Sequence, residues 1–370
     1  MSDPVAEKII SAVEARFEVR GIERDLESIR LQVEEGDHKE EFVALSQEMN
    51  AMNLVTRIVK GYGGTYIIIN RLPPRRTRRF LSSPWVPRIL FGVVVAFVMT
   101  NGYYRTLDAN HIIYIGEPVE MAIIFTLALL GILGVHELGH MAVGKIHKLK
   151  ATWPYFIPGY PLGGIPTFGA IIFQTRGITT NRQILFDVAI AGPVAGLIIT
   201  IIVTMYGAYT APVIPAEIAQ ELYDNESLVP WQLGEPLLMT GALAVFGKGD
   251  AGTEVLMTPL LFAAWFGYLI TFLNMLPAWQ LDGGHMARTL FGKKWHRIAT
   301  YASVGVLIWP LQYWLMGLMI LFLSARNTSA PIMDDISPLP RSRKYAYVVI
   351  IGLAILCAPL PASIPLGIGI

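Results

Sequence analysis

The chain has 370 residues, of which 53% are hydrophobic and only 15% charged, against roughly 25% charged in soluble domains. That composition excludes an ordinary soluble globule and makes the lipid bilayer the expected solvent. The 29 basic and 28 acidic residues nearly cancel to a net charge of +1, so no global field points to nucleic acid as a partner, and the lone cysteine, Cys357, excludes an internal disulfide or a thiolate zinc cluster.

Residues 1–72 carry frequent charges and no apolar run near the roughly 20 residues that span a bilayer, so they read as a small α+β domain in water. The stretch Met1 to Arg16 lacks the apolar core of a signal peptide, and nothing in it marks secretion or organelle import. Asp3 and Pro4 open a first helix, Phe17–Ile22 and Ser28–Val33 have strand character, and His38–Asn50 is a second helix. Val55–Val59 and Thr65–Asn70 then flank Gly61-Tyr62-Gly63-Gly64, the signature of a hairpin.

Residues 73–370 are expected to be membrane-embedded and mainly α. Arg71, Arg75, Arg76, Arg78, Arg79 and Arg88 precede the first apolar run, Ile89–Tyr104, and basic residues favour the cytoplasmic side, so the small domain is expected to be cytosolic on a multi-pass protein of the cell membrane. Further runs at Met121–Gly144, Val188–Pro215, Val255–Leu281, Ile298–Ala325 and Tyr345–Ile370 bring the expectation to about six transmembrane helices. Alternation then puts Lys145, Lys148, Lys150, Arg176 and Arg182 inside, and the loop with Glu217, Glu221, Asp224, Glu226 and Glu235 outside. Arg341, Arg343 and Lys344 fall outside on this count. Two half-helices split at Pro310 would invert that end, but a single kinked span over Ile298–Ala325 is the simpler expectation.

Two apolar stretches do not read as spans. Pro236–Gly247 is too short and is expected to be interfacial or re-entrant. Ala151–Thr175 contains Pro154, Pro158, Pro161 and Pro166, which exclude a spanning helix and predict a re-entrant or interfacial loop. Within it Thr167–Phe173 has strand character. Its edge would suit pairing with an extended substrate, and an ordinary amphiphilic loop is the competing reading.

The chemistry concentrates in His136-Glu137-Leu138-Gly139-His140, inside the second apolar run. Helical spacing sets the two imidazoles one turn apart on one face, where both reach one metal ion, and Glu137 lies beside them as a candidate general base. A charged side chain near a bilayer centre costs about 2.5–3.5 kcal/mol on insertion scales, which argues against a chance pattern or a mere polar contact between helices. Catalytic zinc takes three protein ligands, so a third donor is needed. Asp282 is the best candidate, because it ends the apolar run Asn274-Met275-Leu276-Pro277-Ala278-Trp279-Gln280-Leu281-Asp282-Gly283-Gly284, where Pro277 and the glycines interrupt a helix. A solvated aspartate at a helix end is the bland alternative, and Glu120 and Asp187 are weaker candidates. Asn274 is placed to hydrogen-bond a substrate backbone or an oxyanion, or else a neighbouring helix. His285 reads as an interfacial histidine.

With these residues in view, the chain resembles the site-2 protease family of intramembrane zinc metalloproteases. The resemblance rests on His136-Glu137-Leu138-Gly139-His140, Asn274, Pro277, Asp282 and Gly283, together with Gly192-Pro193-Val194-Ala195-Gly196 and Phe168-Gly169-Ala170. It is nearest to prokaryotic and plastid-type members without a PDZ domain, since the longest connection, Glu217–Glu254, is too short to hold one. The resemblance implies one zinc per chain on His136, His140 and Asp282, Glu137 as general base, Asn274 near the substrate, and a membrane-tethered protein as substrate. A metal-binding membrane transporter and a non-proteolytic membrane scaffold are the competing classes. Convergence of the donors at one depth beside Glu137 separates hydrolysis from an ion path open to both faces.

Overall fold

The computed structural model describes residues 3–25, 28–36, 38–71, 83–149, 153–160, 165–171, 181–229, 231, 233–250, 252–325 and 332–360. Its N-terminal unit comprises α1 (Asp3–Glu14), β1 (Val19–Arg24), β2 (Ser28–Val33), α2 (Lys39–Ala51), β3 (Leu54–Gly61) and β4 (Gly64–Arg71), the strands forming an antiparallel sheet of order β1-β2-β4-β3. Alternation along β2 turns Ile29, Leu31 and Val33 to one face, Ile67 and Ile69 do the same on β4, and Ile9, Val13, Phe42 and Leu45 of the two helices close over them. Full burial of each such side chain contributes about 1.5–3 kcal/mol. Gly63 and Gly64, at φ 97° and 143°, close the β3–β4 hairpin where Gly61 pairs with Gly64.

The rest is mainly helical. It begins with α3 (Trp85–Ile112), α4 (Pro118–Ile146), the hairpin of β5 (Tyr155–Pro158) and β6 (Thr167–Ile171), and α5 (Arg182–Thr210). The helices α3, α4 and α5 are long and apolar enough to cross a membrane, and α4 packs between the other two. Pro118 opens α4, where its missing N–H costs nothing, and Asn181 caps α5 by accepting from the Ile184 N–H at 2.8 Å. After α5 come β7 (Val213–Pro215), α6 (Ala216–Asp224), β8 (Glu235–Pro236), α7 (Leu237–Val245) and β9 (Thr253–Val255), with β7 paired to β9. The Lys248 ammonium donates to the carbonyls of Ala208, Tyr209 and Ala211 at 2.6–2.7 Å, placing a cation on the negative end of α5. Helix α7 fills the Pro236–Gly247 stretch and is too short to cross a bilayer.

The last elements are α8 (Pro259–Met275), α9 (Asp282–Ile308), α10 (Trp314–Ser324), α11 (Arg341–Cys357) and β10 (Pro359–Leu360), which pairs with β8. Helix α9 is two helices, 282–291 and 293–308, joined where Gly292 takes φ 78° and ψ 177°. The chain doubles back there. The N–H of Trp279, just before α9, donates to Thr300 Oγ1 at 3.0 Å, a contact that a straight helix from 282 to 308 would put about 27 Å out of reach.

The single kinked span expected over Ile298–Ala325 is not what forms. Gly317 of α10 lies against Ile308 and Val304, Leu311 N–H reaches Val306 O and Tyr313 N–H reaches Leu307 O, so α10 returns antiparallel to the second half of α9. Pro310 and Gln312, the latter at φ 60°, form the turn between them. The reversal carries the start of α11 to the face of the bundle that holds the start of α5, where Arg343 pairs with both carboxylate oxygens of Asp187 at 3.0 Å. The N-terminal unit is on this face too: Lys39 donates to Gln183 and Ile58 N–H to Met333 O at 3.0 Å. The last apolar run is helical only to Cys357, and its end at 361–370, like Arg75, Arg76, Arg78, Arg79, Lys150, Phe173 and Arg176, lies outside the described residues.

Candidate metal centre

His136 and His140 are on one face of α4, about 15 Å and 9 Å along the helix from its end at Ile146. The start of α9 brings Asp282 to them. Its Oδ2 stands 3.3 Å from the Nε2 of each histidine, and the two Nε2 atoms are 3.1 Å apart. Zinc held tetrahedrally at about 2.0–2.1 Å sets neighbouring donors about 3.3 Å from each other, so this donor set fits one ion. His140 Nδ1–H donates to the Val188 carbonyl at 2.8 Å, which leaves its Nε2 lone pair facing the other donors.

Glycines let the elements come this close. A Cβ on Gly192 of α5 would fall on the His140 ring, with Cδ2 at 2.6 Å, and one on Gly196 would stand 3.0 Å from His136 Cβ. On the other side of the same interface, a Cβ on Gly139 would meet Ala191 O at 2.6 Å. The helices α4 and α5 therefore touch backbone to ring along Gly192-Pro193-Val194-Ala195-Gly196, whose role in seating the histidines only this packing reveals.

The turn between α8 and α9 is equally tight. Trp279 takes φ 46°, Ala278 N–H reaches Leu276 O at 2.7 Å, and a Cβ on Gly283 or Gly284 would run into the carbonyls of Met275, Leu276, Ala278 and Trp279. Asp282 can reach the histidines because the two residues after it have no side chain.

Glu137 is buried on the same turn of α4, and no hydrogen bond or ion pair among the described residues engages its carboxylate. Asn274, half-buried in the last turn of α8, likewise has no hydrogen bond there. His285 is half-buried on α9 and is not part of the donor cluster. Glu120 is exposed about 24 Å along α4 from His136, and Asp187 is engaged by Arg343 and by His147 at 3.8 Å, so neither joins the site.

A profile of peptidase family M50 matches residues 124–312, a stretch that includes all three donors and Glu137. The chain belongs to peptidase family M50, the site-2 protease family. This M50 chain is 30% identical over 246 residues to "Probable zinc metalloprotease EGY2, chloroplastic" of Arabidopsis thaliana, covering 62% of this chain and 40% of that protein. It is 32% identical over 251 residues to "Probable zinc metalloprotease EGY1, chloroplastic" of the same plant, covering 65% and 43%. The EGY2 protein of Oryza sativa subsp. japonica matches at 30% identity over 294 residues, 76% of this chain and 50% of the relative. The M50 chain thus spans about half the length of these curated relatives. The three donors could hold one metal ion, and zinc is the metal named for these relatives.

Proposed function

We propose that the chain is an intramembrane zinc endopeptidase that cleaves membrane-tethered proteins within or beside their spanning segments. One observation carries this reading: three donors converge at 3.1–3.3 Å between apolar helices, with the buried Glu137, whose carboxylate has no hydrogen bond or ion pair among the described residues, next to one of them in the chain. His136, His140 and Asp282 would hold the ion. When bound, zinc supplies Lewis acidity toward the scissile carbonyl and toward water. Glu137 takes the proton that water loses on attacking the carbonyl carbon and returns it to the departing amine, so one side chain serves as base and then acid. Asn274, in the last turn of α8, donates its amide to the substrate backbone or the developing oxyanion. The edge of β6 pairs with a substrate that has unwound from a helix, since a closed helix offers no free peptide group to attack.

The same reading takes α3, α4, α5, α8 with the first half of α9, and α11 as membrane-crossing units, and the second half of α9 with α10 as a hairpin that returns to the side it came from, so the about six spans expected from the sequence become five crossings and a hairpin. It divides the chain into a cytosolic unit at 1–72 and a membrane-embedded protease at 73–370. The basic residues Arg182, Arg341, Arg343 and Lys344 on the face that bears the N-terminal unit support a cytosolic placement of that face. A transporter would string its donors along a route, whereas the described residues bring three together at one point.

The test uses purified protein in liposomes with a single-span substrate, zinc being measured on the same samples. Glu137→Gln should retain zinc and lose cleavage by on the order of 10² to 10⁴. Undiminished cleavage by this variant would remove Glu137 from the mechanism.

A further inference from the structure

Ahead of α11, residues 332–337 lie between the N-terminal unit and the helices of the metal site. Met333 is buried in the core of the N-terminal unit, and its carbonyl accepts from Ile58 on β3, an edge strand of the sheet. The next residue, Asp334, is fully buried, bridges both Ile58 and Asn181, and accepts from the N–H groups of Ile336 and Ser337 through Oδ1. Asp335 then receives Arg288 in a two-pronged contact, at 3.2 Å to Oδ1 and 2.6 Å to Oδ2, and Arg182 at 2.9 Å. Three consecutive residues thus engage the N-terminal core, the cap of α5 and the first half of α9.

Arg288 is buried, and it follows Asp282 on one unbroken stretch of helix, about 9 Å along the axis, because the break comes only at Gly292. Gly283 and Gly284 hold the other end of that stretch flush against the 275–279 turn. A short rigid helix fixed at both ends has little freedom to roll, and a roll is what would swing the Asp282 carboxylate away from His136 and His140.

We propose that residues 332–336 are a strap by which the N-terminal unit positions Asp282, with Arg288 as the positioning residue. The proposal rests on the reading of Asp282 as a zinc ligand. It gives the N-terminal unit a task at the metal centre that it does not touch: whatever docks or releases that unit alters how firmly the ion is held.

The experiment follows zinc release to a chelator from the zinc-loaded 370-residue chain. Arg288→Met and Arg182→Met each take one guanidinium from Asp335, but only Arg288 is on the helix of Asp282. Arg288→Met should speed release about tenfold, the low end of the effect of losing a ligand-orienting partner, and Arg182→Met less than twofold. Arg288→Lys, which keeps the charge, should fall between parent and Arg288→Met. Met333→Asp, which expels the strap from the N-terminal core and leaves Arg288 untouched, should match Arg288→Met. Equal release rates for Arg288→Met and Arg182→Met, or parental release from Met333→Asp, would overturn the strap. Full zinc retention by Asp282→Ala would instead overturn the ligand reading beneath it.

Discussion

Gly192 shows how a residue with no chemistry of its own conditions the metal centre. Alanine there would put a methyl group on the His140 ring, whose Nδ1–H is tied to the Val188 carbonyl one turn before Gly192 on α5, so the ring must leave its place or the helices must part. Overpacking of this kind costs about 1–3 kcal/mol, and here the strain falls on a proposed ligand. Gly192→Ala should therefore lower zinc occupancy several-fold, whereas Gly131→Ala, at a glycine of α4 with open space around it, should leave zinc unchanged. Metal analysis of the two purified variants decides the point, and equal occupancy would contradict the packing argument. The histidines were legible in the sequence because helical spacing alone sets them on one face. Asp282 was legible because an apolar run ends there on a proline and paired glycines. The service of Gly192 and Gly196 to the rings was not, since it arises from the contact of two helices far apart in the chain.

At the scale of elements, the N-terminal unit follows its local patterning closely, every expected helix and strand being present. The turn at Pro310 does not follow from hydropathy. Apolar residues flank it on both sides, and a proline kink and a proline turn look alike in one dimension. The charges of Arg341, Arg343 and Lys344 held the missing information, because Asp187 at the start of α5 meets Arg343 with both carboxylate oxygens. The strap carries a prediction of its own. Burial pushes the Asp335 carboxyl up, but hydrogen bonds from Arg288 and Arg182 outweigh it and hold the group below the usual carboxylate range. A carboxyl depressed in the fold contributes stability above its unfolded pKa, about 3.9, and the contribution disappears as pH falls through the folded value. Asp335 is partly exposed, so the gain is about 1 kcal/mol. Asp335→Asn should melt ~2 °C below the parent from pH 8 to 5, and the gap should close in acid below about pH 4. A gap that persists unchanged at pH 3 would show that the charge is not its source.

For the molecule as a whole, the two reversals at Gly292 and Pro310 return the chain so that the N-terminal unit, the start of α5 and the start of α11 share one face, while β7 to β9 occupy the other. Cysteines introduced at Tyr62 and Ser342 should therefore react with an impermeant reagent from the same side of sealed vesicles, and one at Glu226 from the opposite side. All three positions are exposed, and the native Cys357 is buried. Labelling of Ser342→Cys together with Glu226→Cys would restore the single kinked span. This architecture brings His136, His140 and Asp282 together, and the proposed function places one zinc ion among them. Zinc content of the purified 370-residue chain, set beside that of Asp282→Ala, is the direct test. About one zinc per chain is expected in the parent and a sharp loss in the variant. Full zinc and full cleavage activity in Asp282→Ala would contradict it.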